Sequence, residues 1–290
     1  MKQWQFFPML VKEEILKNMK VSDRLSLSKY CKTSRSLLGG IANHLNTAKI
    51  VEGFFVVDDH LITREVFCSL INRPNSSIRK LGLFVESTAD RSTLNEIFGE
   101  RKLWKVKILE IRFRAEFSES CKELIELCDP SILKTIVIPR LCTNEVYGSI
   151  VNTEQWKNCK KVRLNTDSSA RHSSSLQVNY DHFSHFRRYT IGVDSLSLED
   201  AWRLIQEYQA FNKLARFHVT TRQRFQDQGI LNRIDEEAMH LRLRDYVRAL
   251  SVPAMMGGYC LYIQSLQFSF FGKIQTLFQN VGVRNVEEPL

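Results

Sequence analysis

The sequence predicts an α/β protein in which a small N-terminal module of three helices precedes a solenoid of alternating strands and helices with parallel strands. Three observations indicate this fold class. Residues 6–45 carry apolar side chains at helical spacing. From residue 54 onward, short runs rich in β-branched and aromatic residues recur at a nearly constant interval. Amphipathic helical patterns lie between several of these runs.

The N-terminal pattern predicts three short helices. The first covers about residues 11–19, and Ser22 offers an N-cap hydroxyl for the second. The third starts near Thr33 and extends to Leu45 with apolar residues at helical spacing. A module of this size buries little apolar surface alone, so we expect it to pack on a partner or on the following domain.

The repeated β-type runs begin every 25 to 29 residues, at Phe54, Leu81, Ile108, Leu133, Val162, Tyr189 and Leu214. This interval lies within the range of leucine-rich repeats, although the tight consensus of those repeats is absent. A unit of one strand and one helix does not cover its own apolar face, and stacked units bury a continuous core. The pattern predicts a leucine-rich-repeat-like solenoid, with a generic open α/β domain as the alternative.

Two helices between the strands have clear signals. Cys121, Leu124, Ile125 and Cys128 have the i, i+3, i+4, i+7 spacing of a buried helix face. The pair Ser197 and Asp200 has the spacing of a capping box. Residues 165–183 are serine-rich and poor in apolar residues, which indicates an exposed loop.

The uncharged segment 249–272 is long enough to span a bilayer. It contains Pro253 and the pair Gly257 and Gly258, however, and part of it alternates at period two. We therefore interpret it as buried strands near the end of the domain. The preceding segment, 236–250, fits either a charged helix or an alternating strand.

Composition favours an ordinary soluble protein. The 290 residues are 43% hydrophobic and 25% charged, with a net charge of +9. The basic residues are dispersed without a run of five, which favours a solvated basic surface over a nucleic-acid site. The seven cysteines form no C-x-x-C pair, and the first residues lack a signal-peptide pattern. We expect a cytoplasmic or nuclear protein without a structural disulfide framework.

Motifs for catalysis are absent from the sequence. It has no P-loop, no G-x-G-x-x-G, no G-x-S-x-G and no H-E-x-x-H. His182 and His185 stand close together, but no further ligands accompany them, so we predict no metal site and no cofactor. The expected activity is recognition of other proteins rather than catalysis.

The N-terminal stretch "FPML…VKEEILKNMKVSDRLSLSKYCKTSRSLL" resembles an F-box in the form common among nematode F-box proteins. Phe7, Pro8, Met9 and Leu10 match its start, and Asp23, Leu25, Leu27 and Ser28 match its second helix. Residues 196–219, "LSLEDAWRLIQEYQAFNKLARFHV", are similar to the core of the type 2 F-box-associated domain. The implied domains are an F-box-like module at 6–48 and an F-box-associated, leucine-rich-repeat-like domain at 50–290.

The resemblance implies a substrate-recognition subunit of a cullin-based, SCF-type ubiquitin ligase. The F-box would bind the Skp-type adaptor that joins the cullin scaffold, and the second domain would bind an unknown target protein. We expect the adaptor to contact apolar residues of the N-terminal module, namely Pro8, Met9, Leu10, Ile15, Leu16, Met19, Leu25 and Leu27. One alternative is an interaction scaffold with a degenerate F-box, since the usual second proline and M-x-P turn are replaced here. A nucleic-acid-binding protein is the less favoured alternative.

Overall fold

The protein is described here by a computed structural model. It describes residues 7–20, 23–24, 26–27, 43–71, 76–87, 94, 103–114, 118–167, 176–210, 216–221, 239–242, 248–253, 259–266 and 269–276. The chain divides into two units, one formed by residues 1–137 and 152–158, the other by residues 138–151 and 159–290. Each unit is built around a mixed β-sheet.

The described α-helices are Met9–Asn18 (α1), Arg64–Ile71 (α2), Ser120–Glu126 (α3), Asn144–Ile150 (α4), Glu154–Asn158 (α5) and Leu198–Ala210 (α6), with a 3-10 helix at Tyr180–Phe183. The strands are His44–Val51 (β1), Phe54–Val57 (β2), His60–Ile62 (β3), Ser77–Val85 (β4), Val106–Phe113 (β5), Thr135–Ile138 (β6), Lys161–Leu164 (β7), Arg188–Val193 (β8), Arg216–Thr221 (β9), Met239–Arg242 (β10), Arg248–Pro253 (β11), Tyr259–Leu266 (β12) and Ser269–Thr276 (β13).

The sheet of the first unit has the strand order β6-β5-β4-β1-β2-β3. Strands β6, β5, β4 and β1 run parallel, and β2 and β3 add two antiparallel strands. One cross-strand row on the parallel strands, formed by Ala48, Leu81, Leu109 and Ile136, is at most 1% exposed. This buried row of aliphatic side chains belongs to the core of the unit and helps to fix the register of its strands.

The sheet of the second unit has the order β7-β8-β9-β13-β12-β11-β10. Strands β7, β8 and β9 are parallel. The pairs β9 with β13, β13 with β12, β12 with β11 and β11 with β10 are antiparallel. One cross-strand row on these three parallel strands consists of Val162, Tyr189 and Phe217, each of which is at most 2% exposed. Tyr189 and Phe217 stack with ring centroids 6.0 Å apart, so aromatic side chains supply much of this core.

The predicted fold class, a three-helix F-box-like module followed by a leucine-rich-repeat-like solenoid of parallel strands, is wrong. Before β1, the described residues hold one complete helix, α1, and the residues predicted as the start of the third helix lie outside the described residues. Leu45, predicted at the end of that helix, lies in β1 and pairs with Ile78 of β4. Sheets that contain antiparallel strands dominate the structure.

Short turns explain why the parallel prediction failed at the first strands. Glu52 and Gly53 have φ angles of 49° and 75° and form the two-residue turn between β1 and β2. Asp58 and Asp59, with φ angles of 47° and 65°, form the next turn. Left-handed backbone at both positions matches the twist of antiparallel hairpins. The Thr47 amide donates to Asp58 Oδ1 at 2.8 Å, which ties the second turn to β1.

The positions of the predicted strands are nevertheless confirmed. Each of the seven predicted runs overlaps a strand, namely β2, β4, β5, β6, β7, β8 and β9. The helix face predicted at Cys121, Leu124 and Ile125 is buried on α3, and Cys128 is buried beyond its end. The Asp200 amide donates to Ser197 Oγ at 3.0 Å, as a capping serine requires. Segment 249–272 contains β12 and parts of β11 and β13.

Candidate docking surface

Helix α1 places apolar side chains on both its buried and its exposed sides. Pro8 is its N-cap residue and its carbonyl accepts the Lys12 amide at 3.1 Å. Leu16 is fully buried and fixes the inner side of the helix. Met9 and Leu10, in contrast, are 54% and 79% exposed. Several exposed apolar side chains on one element, unlike a single exposed leucine, indicate a surface that a partner covers.

The structure separates the eight residues predicted to bind the adaptor. Pro8, Met9, Leu10 and Ile15 are exposed on the first helix. Leu16 is fully buried in the core. Met19 and Leu27 are half-buried, and Leu25 lies outside the described residues. The binding role of all eight stays a prediction.

Two exposed apolar residues were missed by the sequence interpretation. Phe7 is 44% exposed and Val11 is 40% exposed. Val11 and Ile15 lie four residues apart on α1, which is the spacing of one helix face, and Phe7 stands just before the helix. That signal was present in the sequence and extends the group. We define the α1 apolar surface as Phe7, Met9, Leu10, Val11 and Ile15.

The histidines considered as metal ligands have other surroundings. His182 Nδ1 lies 2.8 Å from the Tyr147 hydroxyl, and His185 packs on the Phe186 ring at a centroid distance of 4.0 Å. Burial raises the pKa of Tyr147 above its ordinary value, so its hydroxyl stays protonated. Within the described ranges, no group of three or more His, Cys, Asp or Glu side chains is placed to hold a metal ion.

The serine-rich segment ends in a packed structure. Residues 168–175 lie outside the described residues. Beyond them, Leu176, Tyr180 and Phe183 are at most 3% exposed. The Phe183 ring stacks on Tyr147 with centroids 6.0 Å apart, so this end of the segment contributes to the core of its unit.

No helix among the described residues is long and apolar enough to cross a membrane.

Comparison with known families gives one match. The model of the FTH domain matches residues 91–232, which contain the region 196–219 that resembles an F-box-associated domain. Comparisons with curated proteins and with solved structures gave no match. The match does not extend to the type 2 subtype or to the N-terminal F-box, which remain predictions. Residues 91–232 therefore match an FTH domain, a domain found in F-box-associated proteins.

Proposed function

We propose that this chain is the substrate-recognition subunit of a cullin-based, SCF-type ubiquitin ligase. The α1 apolar surface binds the Skp-type adaptor, which connects the chain to the cullin scaffold. The FTH region and the sheets around it hold the target protein. The transfer chemistry is carried out by other subunits of the ligase.

The observation that carries the proposal is the exposure of the α1 apolar surface. Leu10 is 79% exposed and Ile15 is 36% exposed, although Leu16, one residue further along, is fully buried. Burying one such side chain completely is worth about 1.5–3 kcal/mol. A few of them at the centre of an interface supply most of the affinity that an adaptor contact needs.

The FTH match supports the same proposal from a separate part of the chain, residues 91–232. It begins after the first β-hairpins and β4, so it is separate in sequence from α1. The FTH domain is found in F-box-associated proteins, and the segment that resembles an F-box lies before it in the sequence. The arrangement favours a bridging protein with separate adaptor and target surfaces.

Co-purification with the adaptor tests the proposal. The full chain is expected to retain a Skp-type adaptor and the cullin, and the double variant Leu10→Glu with Ile15→Glu to retain neither. Charged carboxylates on an otherwise apolar contact oppose its desolvation, so the expected loss is at least about a hundredfold in affinity. Leu10 is 79% exposed but Ile15 only 36%, so the thermal midpoints of the double variant and of Leu10→Glu alone are measured beside that of the native chain to separate loss of binding from loss of folding.

Leu61→Glu is the matched control. Leu61 is 67% exposed on β3, outside α1, so this variant places the same charge on an exposed leucine elsewhere. It is expected to retain the adaptor. If the native chain retains no adaptor, the proposal fails and the chain is better explained as an interaction scaffold with a degenerate F-box.

A further inference from the structure

A basic groove lies at the amino ends of the parallel strands in the first unit. It has a volume of about 440 Å³. Four basic residues line it, Arg79, Lys105, Lys107 and Lys134, and none of its lining residues in the described ranges is an aspartate or glutamate. Leu45, Ile78 and Ile132 contribute apolar atoms between these charges.

Three of the basic residues form one row across neighbouring strands. The register pairs Ile78 with Val106, so Arg79 stands beside Lys107. The Lys134 amide donates to the Lys107 carbonyl at 2.9 Å, which places Lys134 next in the row. Adjacent strands are about 4.8 Å apart, and like charges side by side on a sheet repel each other.

The carboxylates that the structure describes near this row do not form ion pairs with Arg79 or Lys107. Asp129 accepts hydrogen bonds from the Ser131 amide at 2.9 Å and from its hydroxyl at 2.6 Å, and its charge acts on Lys105. Neither Arg79 nor Lys107 forms an ion pair with any residue that the structure describes. Lys134 Nζ donates to the Ser131 carbonyl at 2.7 Å, which holds its charge at the groove without neutralising it.

The same sheet compensates its charges elsewhere. On β5, three residues beyond Lys107, Glu110 accepts from Lys80 Nζ at 2.7 Å and from Arg112 Nη2 at 2.8 Å. The two basic residues of that cluster thus share a carboxylate partner, whereas no carboxylate in the described part of the chain pairs with the row at the amino ends. An uncompensated row is the arrangement expected where an anionic ligand completes the site.

The lining residues indicate the class of ligand. Among the residues that the structure describes, the lining has no Phe, Tyr or Trp, and the His44 ring is held by a 2.8 Å hydrogen bond between its Nδ1 and Ser77 Oγ. The groove therefore lacks the large stacking platform on which proteins bind single-stranded nucleic acid. It offers instead an arginine suited to two-pronged contact with carboxylate or phosphate, beside lysines that supply further positive charge. Leu45 and Ile78 are only 2% and 4% exposed, so charge rather than apolar contact selects the ligand. These features fit a short acidic peptide.

We propose that the basic groove binds an acidic peptide segment of a partner protein, with carboxylate or phosphate groups on Arg79, Lys107 and Lys134. The inference deepens the proposed function and rests on it, because the proposed function identifies that partner as the target protein of the ligase. Peptide binding by the groove and adaptor binding by the α1 apolar surface are measured separately, so failure of one is distinguishable from failure of the other.

Fluorescence anisotropy with the purified full chain tests the inference. Three labelled synthetic peptides are compared: one with two phosphothreonines around a leucine, one with aspartates at the same positions, and one with neutral serines. The acidic peptides are expected to bind, and their affinity to fall steeply with salt. If the phosphothreonine and aspartate peptides both bind, the groove recognises acidic groups in general. If only the phosphothreonine peptide binds, the groove recognises phosphate. The neutral peptide is not expected to bind.

Charge-reversal variants locate the site. Lys107→Glu is expected to weaken acidic-peptide binding at least about tenfold, because it removes one charge-assisted contact and adds repulsion. Lys161→Glu is the control, since Lys161 is an exposed lysine of β7 and the change in net charge is the same. Lys107→Gln should also weaken binding while keeping or raising the thermal midpoint, because it relieves repulsion within the row.

Three results would overturn the inference. The first is no binding of either acidic peptide. The second is an equal loss in the Lys161 and Lys107 variants, which would show a general charge effect. The third is tighter binding of a labelled single-stranded or duplex DNA oligonucleotide that is lost in the Lys107 variant, which would assign the groove to nucleic acid. Adaptor retention should be unchanged by Lys107→Glu.

Discussion

Helices α1 and α3 have similar apolar content but use it in opposite ways. On α3, Cys121, Leu124 and Ile125 are all at most 5% exposed. On α1, Leu16 is buried while Leu10 stays 79% exposed. Both helices belong to the first unit, so the difference does not follow from membership of separate units. It teaches that the apolar residues of α3 stabilise the fold, whereas those exposed on α1 are available to a partner.

Matched alanine substitutions sharpen this contrast and give the largest expected effect. Ile125→Ala removes a fully buried side chain, and we expect the free energy of unfolding to fall by about 3 kcal/mol. Leu10→Ala removes an exposed side chain and should change the same quantity by less than about 0.5 kcal/mol. Urea unfolding of both variants measures the difference. Equal losses would mean that the α1 apolar surface is part of the core.

A second comparison concerns a buried and an exposed polar side chain, for which we expect a smaller difference in the free energy of unfolding. Asn165 is buried with φ of 50°, and its side chain exchanges two hydrogen bonds with the Cys142 backbone, each of 2.9 Å. Asn165→Ala leaves that amide and carbonyl unpaired at a position where alanine adopts left-handed backbone poorly. We expect a loss of about 2 kcal/mol in chemical unfolding.

Asn18→Ala is the control for that variant. Asn18 donates to the Glu14 carbonyl at 2.9 Å, but it lies at the exposed end of α1. Its removal should change stability by less than about 0.5 kcal/mol. A comparable loss in both variants would contradict the structural role assigned to Asn165.

The smallest expected effect is pH-dependent and concerns Glu110. Burial acts to raise the pKa of this carboxyl, but its hydrogen bonds and ion pairs with Lys80 and Arg112 dominate, so the pKa lies below its ordinary range. A lowered carboxyl pKa contributes stability above the unfolded-state value of about 4.3, and this is lost as the pH falls through the folded-state pKa. Glu110→Gln should therefore cost about 1 kcal/mol near pH 7 and less at more acidic pH. Denaturant midpoints measured from pH 7 down to pH 3 check this; a difference that grows on acidification would contradict it.

The periodic spacing of β-type runs located seven strands correctly, because their core residues are buried in nearly continuous apolar stretches. Strand direction was predictable from that spacing only in part. Strands β4, β5 and β6 pair in parallel as expected, and so do β7, β8 and β9. Strand β2 does not, because the turns at residues 52–53 and 58–59 have the left-handed backbone of antiparallel hairpins. The helical spacing that ended at Leu45 was misleading, because pairing with β4 overrides local preference.

The candidate surface was only partly predictable. The sequence identified Ile15 and Leu16 as apolar residues of the first helix and Leu10 as a residue just before it, but residue type alone does not tell which of them are buried. The structure separates Leu16 from the other two and adds Phe7 and Val11. The basic row at Arg79, Lys107 and Lys134 was not predictable, because it depends on the register of three strands far apart in sequence.

The most direct test of the central claim is oxidative footprinting of the full chain with and without a purified Skp-type adaptor. Met9 is 54% exposed within the α1 apolar surface, and Leu103 is 56% exposed outside it. We predict that the adaptor lowers the oxidation rate of Met9 severalfold and leaves that of Leu103 unchanged. Unchanged oxidation of Met9 at saturating adaptor would contradict the assignment of this surface.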